Sequence, residues 1–292
     1  MKLSTSTNLM DKVGDSFGVI SPRDSVLRCK AAGFDVFDFN FCDQGRPGHP
    51  VALADWRKFL TDFKSFADQN GILFPQTHLH MYDPADRRIE DHGWEREMLR
   101  RTMEGSGILK TKWAVAHPLH ERRPGYTRKD YLELNLEYYG PLVEQAAAMG
   151  FGLSFENMVQ FPGMEYEYAC NAEDLVELVD AFHLPNVGIN WDFGHANISV
   201  SDQAAELRII GRRLKSTHIA DNHGQRDEHL APFYGNVDWH QMMRVLKEIG
   251  YEGDFTYEVQ AFSNPLPLEL RDTQTIHLVD IGRYLISKFE EA

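Results

Sequence analysis

Six successive apolar stretches of this chain run out into side chains that can bind cations or move protons. They end Gln76-Thr77-His78, Ala116-His117-Pro118, Phe155-Glu156-Asn157, Trp191-Asp192-Phe193-Gly194-His195, Thr217-His218-Ile219 and Tyr257-Glu258-Val259, and Asp227-Glu228-His229 follows the fifth. Nine of these residues stand out: His78, His117, Glu156, Asp192, His195, His218, Asp227, His229 and Glu258. A lone His or Glu at such a place usually just finds a hydrogen-bond partner. Nine together are different, because carboxylates packed side by side repel and resist ionisation. A bound cation removes that penalty, and neutral imidazoles complete its shell. Asp227 and His229 are two apart, so in extended chain they share a face. Asp192 and His195 are three apart where the chain turns, and could serve one site or two neighbouring ones. The pattern implies a metal site and leaves its nuclearity open.

The elements that carry these residues alternate. Strand patterns at Lys2–Ser6, Phe34–Phe39, Ile72–His78, Lys112–His117, Gly152–Glu156, Val187–Asn190, Leu214–Ile219 and Asp254–Glu258 are separated by helical patterns. The helices are expected near 22–32, 54–70, 94–108, 128–149, 172–182, 201–211, 237–249 and 270–288, with a kink at Gly140-Pro141. Glycines after Ala32, Asn70, Met149 and Ile249 suit helix ends. Eight βα units in 292 residues match a single α/β domain spanning 1–292, a (β/α)8 TIM barrel. An open doubly wound sheet would carry a glycine-rich phosphate loop after its first strand, and here Ser4-Thr5-Ser6-Thr7-Asn8 stands there instead. In a barrel the nine residues fall on the C-terminal face, where such folds place their active sites.

Composition narrows the partners. Acidic residues outnumber basic ones 44 to 30, for a net charge of -14, which argues against nucleic acid and anionic membrane. Three cysteines, Cys29, Cys42 and Cys170, form no CxxC pair and fit a reducing compartment. No apolar run follows Lys2, as a secretory signal would require, and none is long enough to span a bilayer, so the expected location is the cytoplasm. A homo-oligomer is compatible with all of this, a dimer being the commonest form. Cys42 and Cys170 are read as inert, His223 and His240 as surface groups, Trp113 and Trp191 as core. The Arg122-Arg123 and Arg212-Arg213 pairs are read as solvated, with Arg122 or Arg123 the candidate contact for an anionic substrate. Met81, Tyr82, Phe193, Phe233 and Tyr234 are candidates for an apolar wall against a sugar.

At these residues the chain resembles the xylose-isomerase-like barrel superfamily, particularly its sugar phosphate isomerase/epimerase group. The resemblance rests on Ser154-Phe155-Glu156-Asn157, Asn190 through His195, His218-Ile219-Ala220-Asp221-Asn222, Asp227 through Trp239, and Tyr257-Glu258. By analogy with ketose 3-epimerases it implies one divalent ion (Mn, Zn, Co or Mg) held by Glu156, Asp192, His218 and Glu258. By analogy with endonuclease-four-type enzymes, His78, His117, His195, Asp227 and His229 would hold further zinc ions or else contact substrate. The late loop Ala231-Pro232-Phe233-Tyr234-Gly235 departs from the Pro-Gly-x-Gly of relatives, and Gly224 stands near where epimerases place an arginine.

The chemistry so implied is proton transfer beside a sugar carbonyl through a metal-stabilised enediolate. Glu156 and Glu258 would act as the two bases, and His195 would hydrogen-bond the substrate oxygen. The alternative is zinc phosphodiester hydrolysis at abasic DNA, against which stands the lack of a Lys/Arg-rich loop near the strand ends. A noncatalytic sugar-binding barrel would leave the two glutamates without a purpose.

Overall fold

A computed structural model describes residues 1–10, 20–120, 123–161, 163–164 and 166–292. Its eight strands are β1 (Leu3–Ser6), β2 (Val36–Asn40), β3 (Leu73–His78), β4 (Trp113–Ala116), β5 (Gly152–Glu156), β6 (Val187–Asp192), β7 (Leu214–His218) and β8 (Phe255–Tyr257). All pairings are parallel, in the order β7-β6-β5-β4-β3-β2-β1-β8. The ring closes between β7 and β8 through a single parallel bridge, Ile219 to Tyr257. The Ile219 N–H donates to the Thr256 carbonyl at 2.8 Å, and the Glu258 N–H donates to the Ile219 carbonyl at 3.1 Å. The architecture is therefore the (β/α)8 barrel that the strand–helix alternation implies.

Period-two alternation decides what faces the barrel axis. In β2, Phe37 and Phe39 pack outward on Phe74 and on Phe63 of the helix Trp56–Gln69. Asp38, between them, reaches across the barrel to His218. In β5, Phe155 stacks on Phe182 while Ser154 and Glu156 turn inward to Ser216 and His218. In β8, Tyr257 donates its hydroxyl to the Leu278 carbonyl outside, and Thr256 meets Gln76 inside. The outer layer is thus aromatic and aliphatic, and much of the inner layer is polar. Barrels usually fill that inner space with Val, Ile and Leu.

The surrounding helices follow the expected pattern, at Pro22–Ala32, Trp56–Gln69, His92–Leu109, Arg128–Met149, Ala172–Ala181, Gln203–Ile210, Trp239–Glu248 and Leu268–Glu291. Trp56, Leu60, Phe63 and Ala67 recur at helical spacing and form the buried stripe of the second. Thr127 and Asp130 close a reciprocal capping box at the start of Arg128–Met149. That helix runs unbroken through Pro141 and ends at Gly150, whose φ of 87° is a left-handed conformation that costs glycine nothing. Three short helices go beyond the sequence pattern: Phe41–Gln44, Phe193–Ser199 and Gln260–Ser263. They follow β2, β6 and β8, so all three sit at the C-terminal mouth. Among the described residues no helix is long and apolar enough to cross a membrane.

Candidate active site

The C-terminal ends of β5 to β8 bring Glu156, Asp192, His218 and Glu258 together, with one ligand atom of each within 4.8 Å of the others. Glu156 and His218 are each 1% exposed and Asp192 is fully buried. The Nδ1 of His218 lies 2.9 Å from Glu156 Oε1 and 3.2 Å from Glu258 Oε2. Its other ring nitrogen, Nε2, lies 3.1 Å from Asp38 Oδ2. Carboxylate oxygens thus stand at both ring nitrogens, Asp38 at Nε2 and the two glutamates at Nδ1, and Asp38 fixes the orientation of the ring. Gln76 Nε2 donates to the same Asp38 oxygen at 3.0 Å and fixes it in turn.

The neighbouring histidines repeat the device. His78 Nδ1 donates to the Leu79 carbonyl at 2.9 Å, His195 Nδ1 to the Asn157 carbonyl at 2.8 Å, and His229 Nδ1 to the Glu258 carbonyl at 2.9 Å. Each ring is anchored to backbone by one nitrogen and turns the other inward. His78 Nε2 faces His117 Nε2 at 3.1 Å, and the two lie 3.5 and 3.3 Å from Glu156 Oε2. Asp227 Oδ2 sits 2.8 Å from His229 Nε2 and 3.6 Å from His195 Nε2. Six of the nine residues singled out in the sequence form two groups that share Glu156, His78–His117–Glu156 and Glu156–Asp192–His218–Glu258, and His195, Asp227 and His229 adjoin them. Seven of the nine, all but Asp192 and His218, line a cavity of about 300 Å³, at the small end for ligand pockets.

The Asp192-x-x-His195 spacing has a local cause. Asp192 caps the helix Phe193–Ser199: its Oδ1 accepts the His195 N–H at 2.7 Å. Its second oxygen, Oδ2, is buried with no hydrogen-bond partner among the described residues, and so is Oε2 of Glu156. Burial, reinforced by Glu156, Glu258 and Asp227, pushes the Asp192 carboxyl up to about 7. Burial is opposed at His229 by its bond to Asp227, which raises the imidazole to about 10, whereas at His117 burial prevails and lowers it to about 4. Three clustered carboxylates and an imidazole, with two buried carboxylate oxygens that make no hydrogen bond among the described residues, fit a divalent cation.

Several residues depart from their sequence reading. Phe193 is fully buried against Trp239, and Phe233 and Tyr234 pack on Tyr284 and Phe262, so none of the three walls the cavity. Met81 does line it, and Tyr82 lines the recess beside it. Cys42 is not remote: its Sγ borders the cavity, 3.0 Å from the Leu79 carbonyl and 3.4 Å from His78 Nδ1. Arg123 pairs with Asp83 at 2.7 Å, and Arg122 lies outside the described residues. Asp38 was missed although a carboxylate inside Val36-Phe37-Asp38-Phe39 is itself a signal.

Asp221 organises the loop beyond β7. It is fully buried and accepts from the N–H groups of Asn222 (2.9 Å), Phe233 (3.0 Å) and Val237 (3.2 Å) and from the Trp239 indole (2.8 Å). Gly235 is required against it, since a Cβ there would lie 2.3 Å from Asp221 Oδ1. Asp221→Ala leaves these donors unpaired, at about 1–3 kcal/mol for each one left unsatisfied. The expected result is a loss of roughly 3 kcal/mol or more in denaturant unfolding, and a loss below about 1 kcal/mol would refute the organising role.

The comparisons with known proteins bear on this geometry. An uncharacterised Methanocaldococcus jannaschii protein is 32% identical over 166 residues, 56% of this chain and 55% of that protein, so the chain spans only about half of that relative. The ketose 3-epimerase of Arthrobacter globiformis is 25% identical over 238 residues, covering 81% of this chain and 76% of the enzyme. A solved D-tagatose 3-epimerase-like protein superposes with a TM-score of 0.75 at 24% identity, covering 100% of this chain and 99% of that one. Residues 26–276 match the family model described as xylose isomerase-like TIM barrel, and the chain belongs to that family.

Proposed function

We propose that the protein is a divalent-metal-dependent sugar epimerase or isomerase of the ketose 3-epimerase kind, folded as one catalytic domain. The observation that carries this reading is the pair of glutamates, Glu156 from β5 and Glu258 beyond β8, which meet at His218 Nδ1 and both line one small cavity. Glu156, Asp192, His218 and Glu258 would hold the ion. A divalent cation there supplies a Lewis acid for the carbonyl and adjacent hydroxyl oxygens of a sugar. Glu156 and Glu258 approach from different strands, so one removes the proton next to the carbonyl and the other returns it, inverting the centre or moving the carbonyl. His195, anchored by Asn157 and held near Asp227, offers Nε2 to a substrate oxygen. Asp38 acts through His218, setting which nitrogen meets the cluster.

Metal content tests the reading. Protein purified without chelator should carry about one Mn, Zn, Co or Mg ion per chain, and Asp192→Ala should remove most of it. Wild-type metal content in that variant would show that the ligand set is wrong.

A second reading is favoured by one observation, the sharing of Glu156 between the His78–His117 pair and the other ligands. Such sharing suits a multi-ion phosphodiesterase acting on abasic DNA. The net charge of -14 weighs against it. Metal-loaded protein should leave abasic duplex DNA intact, and robust incision that is lost in Glu258→Ala would reverse the order of the two readings.

A further inference from the structure

The opposite end of the barrel, where the strands begin, carries a second cavity of about 360 Å³. Its walls come from the starts of β4 and β7 and from the turn before β8. Glycine builds it. Gly152 opens β5 and Gly188 lies in β6; a Cβ on the first would lie 2.3 Å from the Trp113 ring, and on the second 2.2 Å from Lys215 Cγ. Only because both side chains are missing can the Trp113 indole and the Lys215 stem lie flat across the strand starts. The Lys215 ammonium then stands 5.9 Å from the indole centre and donates to the Arg212 carbonyl at 2.8 Å.

Cations gather here without acidic partners. Lys112, Arg212 and Lys215 all line the cavity, and among the described residues no carboxylate lies within ion-pair distance of any of them. Elsewhere in the chain Arg28, Arg57, Arg100, Arg128 and Arg208 are paired with acids. Adjacent Arg213 is bidentate to Asp180, at 2.7 Å twice, and only Arg212 turns to the cavity. Burial, then the nearby Lys112 charge, holds Lys215 below its ordinary value, with Glu252 in partial opposition.

We propose that this cavity is a separate, non-catalytic binding site for a small phosphate monoester that carries hydroxyl groups. Two lysines and an arginine line this one cavity, a set of charges suited to a tetrahedral dianion. Glu252 lies on the same wall and accepts from hydroxyls. The Trp113 face takes the C–H side of a sugar ring. The volume exceeds what inorganic phosphate fills, and the carboxylate-rich mouth at the other end would repel the same ligand.

Calorimetric titration of the whole protein with glucose 6-phosphate, glucose and inorganic phosphate tests this. Glucose 6-phosphate should bind saturably, more tightly than phosphate, with affinity falling as salt rises. The exposed pair Lys112→Ala and Arg212→Ala should weaken it by about tenfold or more without moving the thermal midpoint, and Glu156→Gln should leave it intact. Absence of saturable binding, or unchanged affinity in the double variant, overturns the site. Phosphate binding as tightly as its ester overturns the ligand class. Loss of binding in Glu156→Gln places the ligand in the barrel mouth and overturns the location.

Discussion

Replacing Glu156 or Glu258 with glutamine should lower turnover of a ketose by a factor of about 100 or more, the usual scale for a general base. Glutamine keeps the length of the side chain and one oxygen, so some metal can stay bound while the proton acceptor is gone. Glu156 is the stricter case: it is 1% exposed and its two oxygens meet His218, His78 and His117. Turnover in heavy water should place solvent deuterium on the carbon that is inverted or isomerised. With two bases, one variant can still exchange that hydrogen without completing the reaction, which identifies the glutamate serving each side of the sugar. The two-base scheme is falsified if product forms with the substrate hydrogen retained and no deuterium gained. Such a result points to internal hydride transfer and leaves the proposed metal ligands standing.

Stripping the cation should abolish activity and destabilise the protein in a pH-dependent way. Without an ion the Asp192 carboxyl holds its proton up to about 7, against an ordinary 3.8. Between those values the folded chain binds more protons than the unfolded one, so this group makes the stripped protein less stable as pH rises through the window. A cation displaces the proton and favours the ionised form. The gap in thermal midpoint between loaded and stripped protein should therefore widen from about pH 5 to pH 8. An ion at 100 times its dissociation constant contributes about 2.7 kcal/mol. A gap that is constant with pH, or that narrows, would contradict the buried-carboxylate origin of the site.

Most of the fold was legible because six of the eight strands end where an apolar run meets an ionisable residue, and helices such as Trp56–Gln69 carry a buried stripe at helical spacing. The nine mouth residues were legible through their number: one His or Glu past a strand usually only finds a hydrogen-bond partner, whereas nine at successive strand ends and the loops beyond them point to one site. What escaped was whatever depends on partners distant in sequence. Asp38 matters through His218, 180 positions away. Cys42 and Gln260 reach the cavity from helices of four residues, too short to show a period. Phe193 looked like a loop aromatic because the helix it opens is capped by Asp192, a residue already assigned another purpose. The polar inner layer was hidden too, since Ser154, Ser216 and Thr256 read as ordinary strand residues until their neighbours are known.

The closure of the barrel at Ile219 and Tyr257 gives the molecule a seam. Seven of the eight junctions between strands are ladders, and this one is a single bridge. His218 stands on one lip and Glu258 on the other, with Glu258 bonded to the Ile219 carbonyl across the gap. An ion bound by both would act as a rivet. The barrel would then be mechanically complete only when loaded, and amide exchange at Ile219 and Glu258 would slow more than at any other strand when the ion binds.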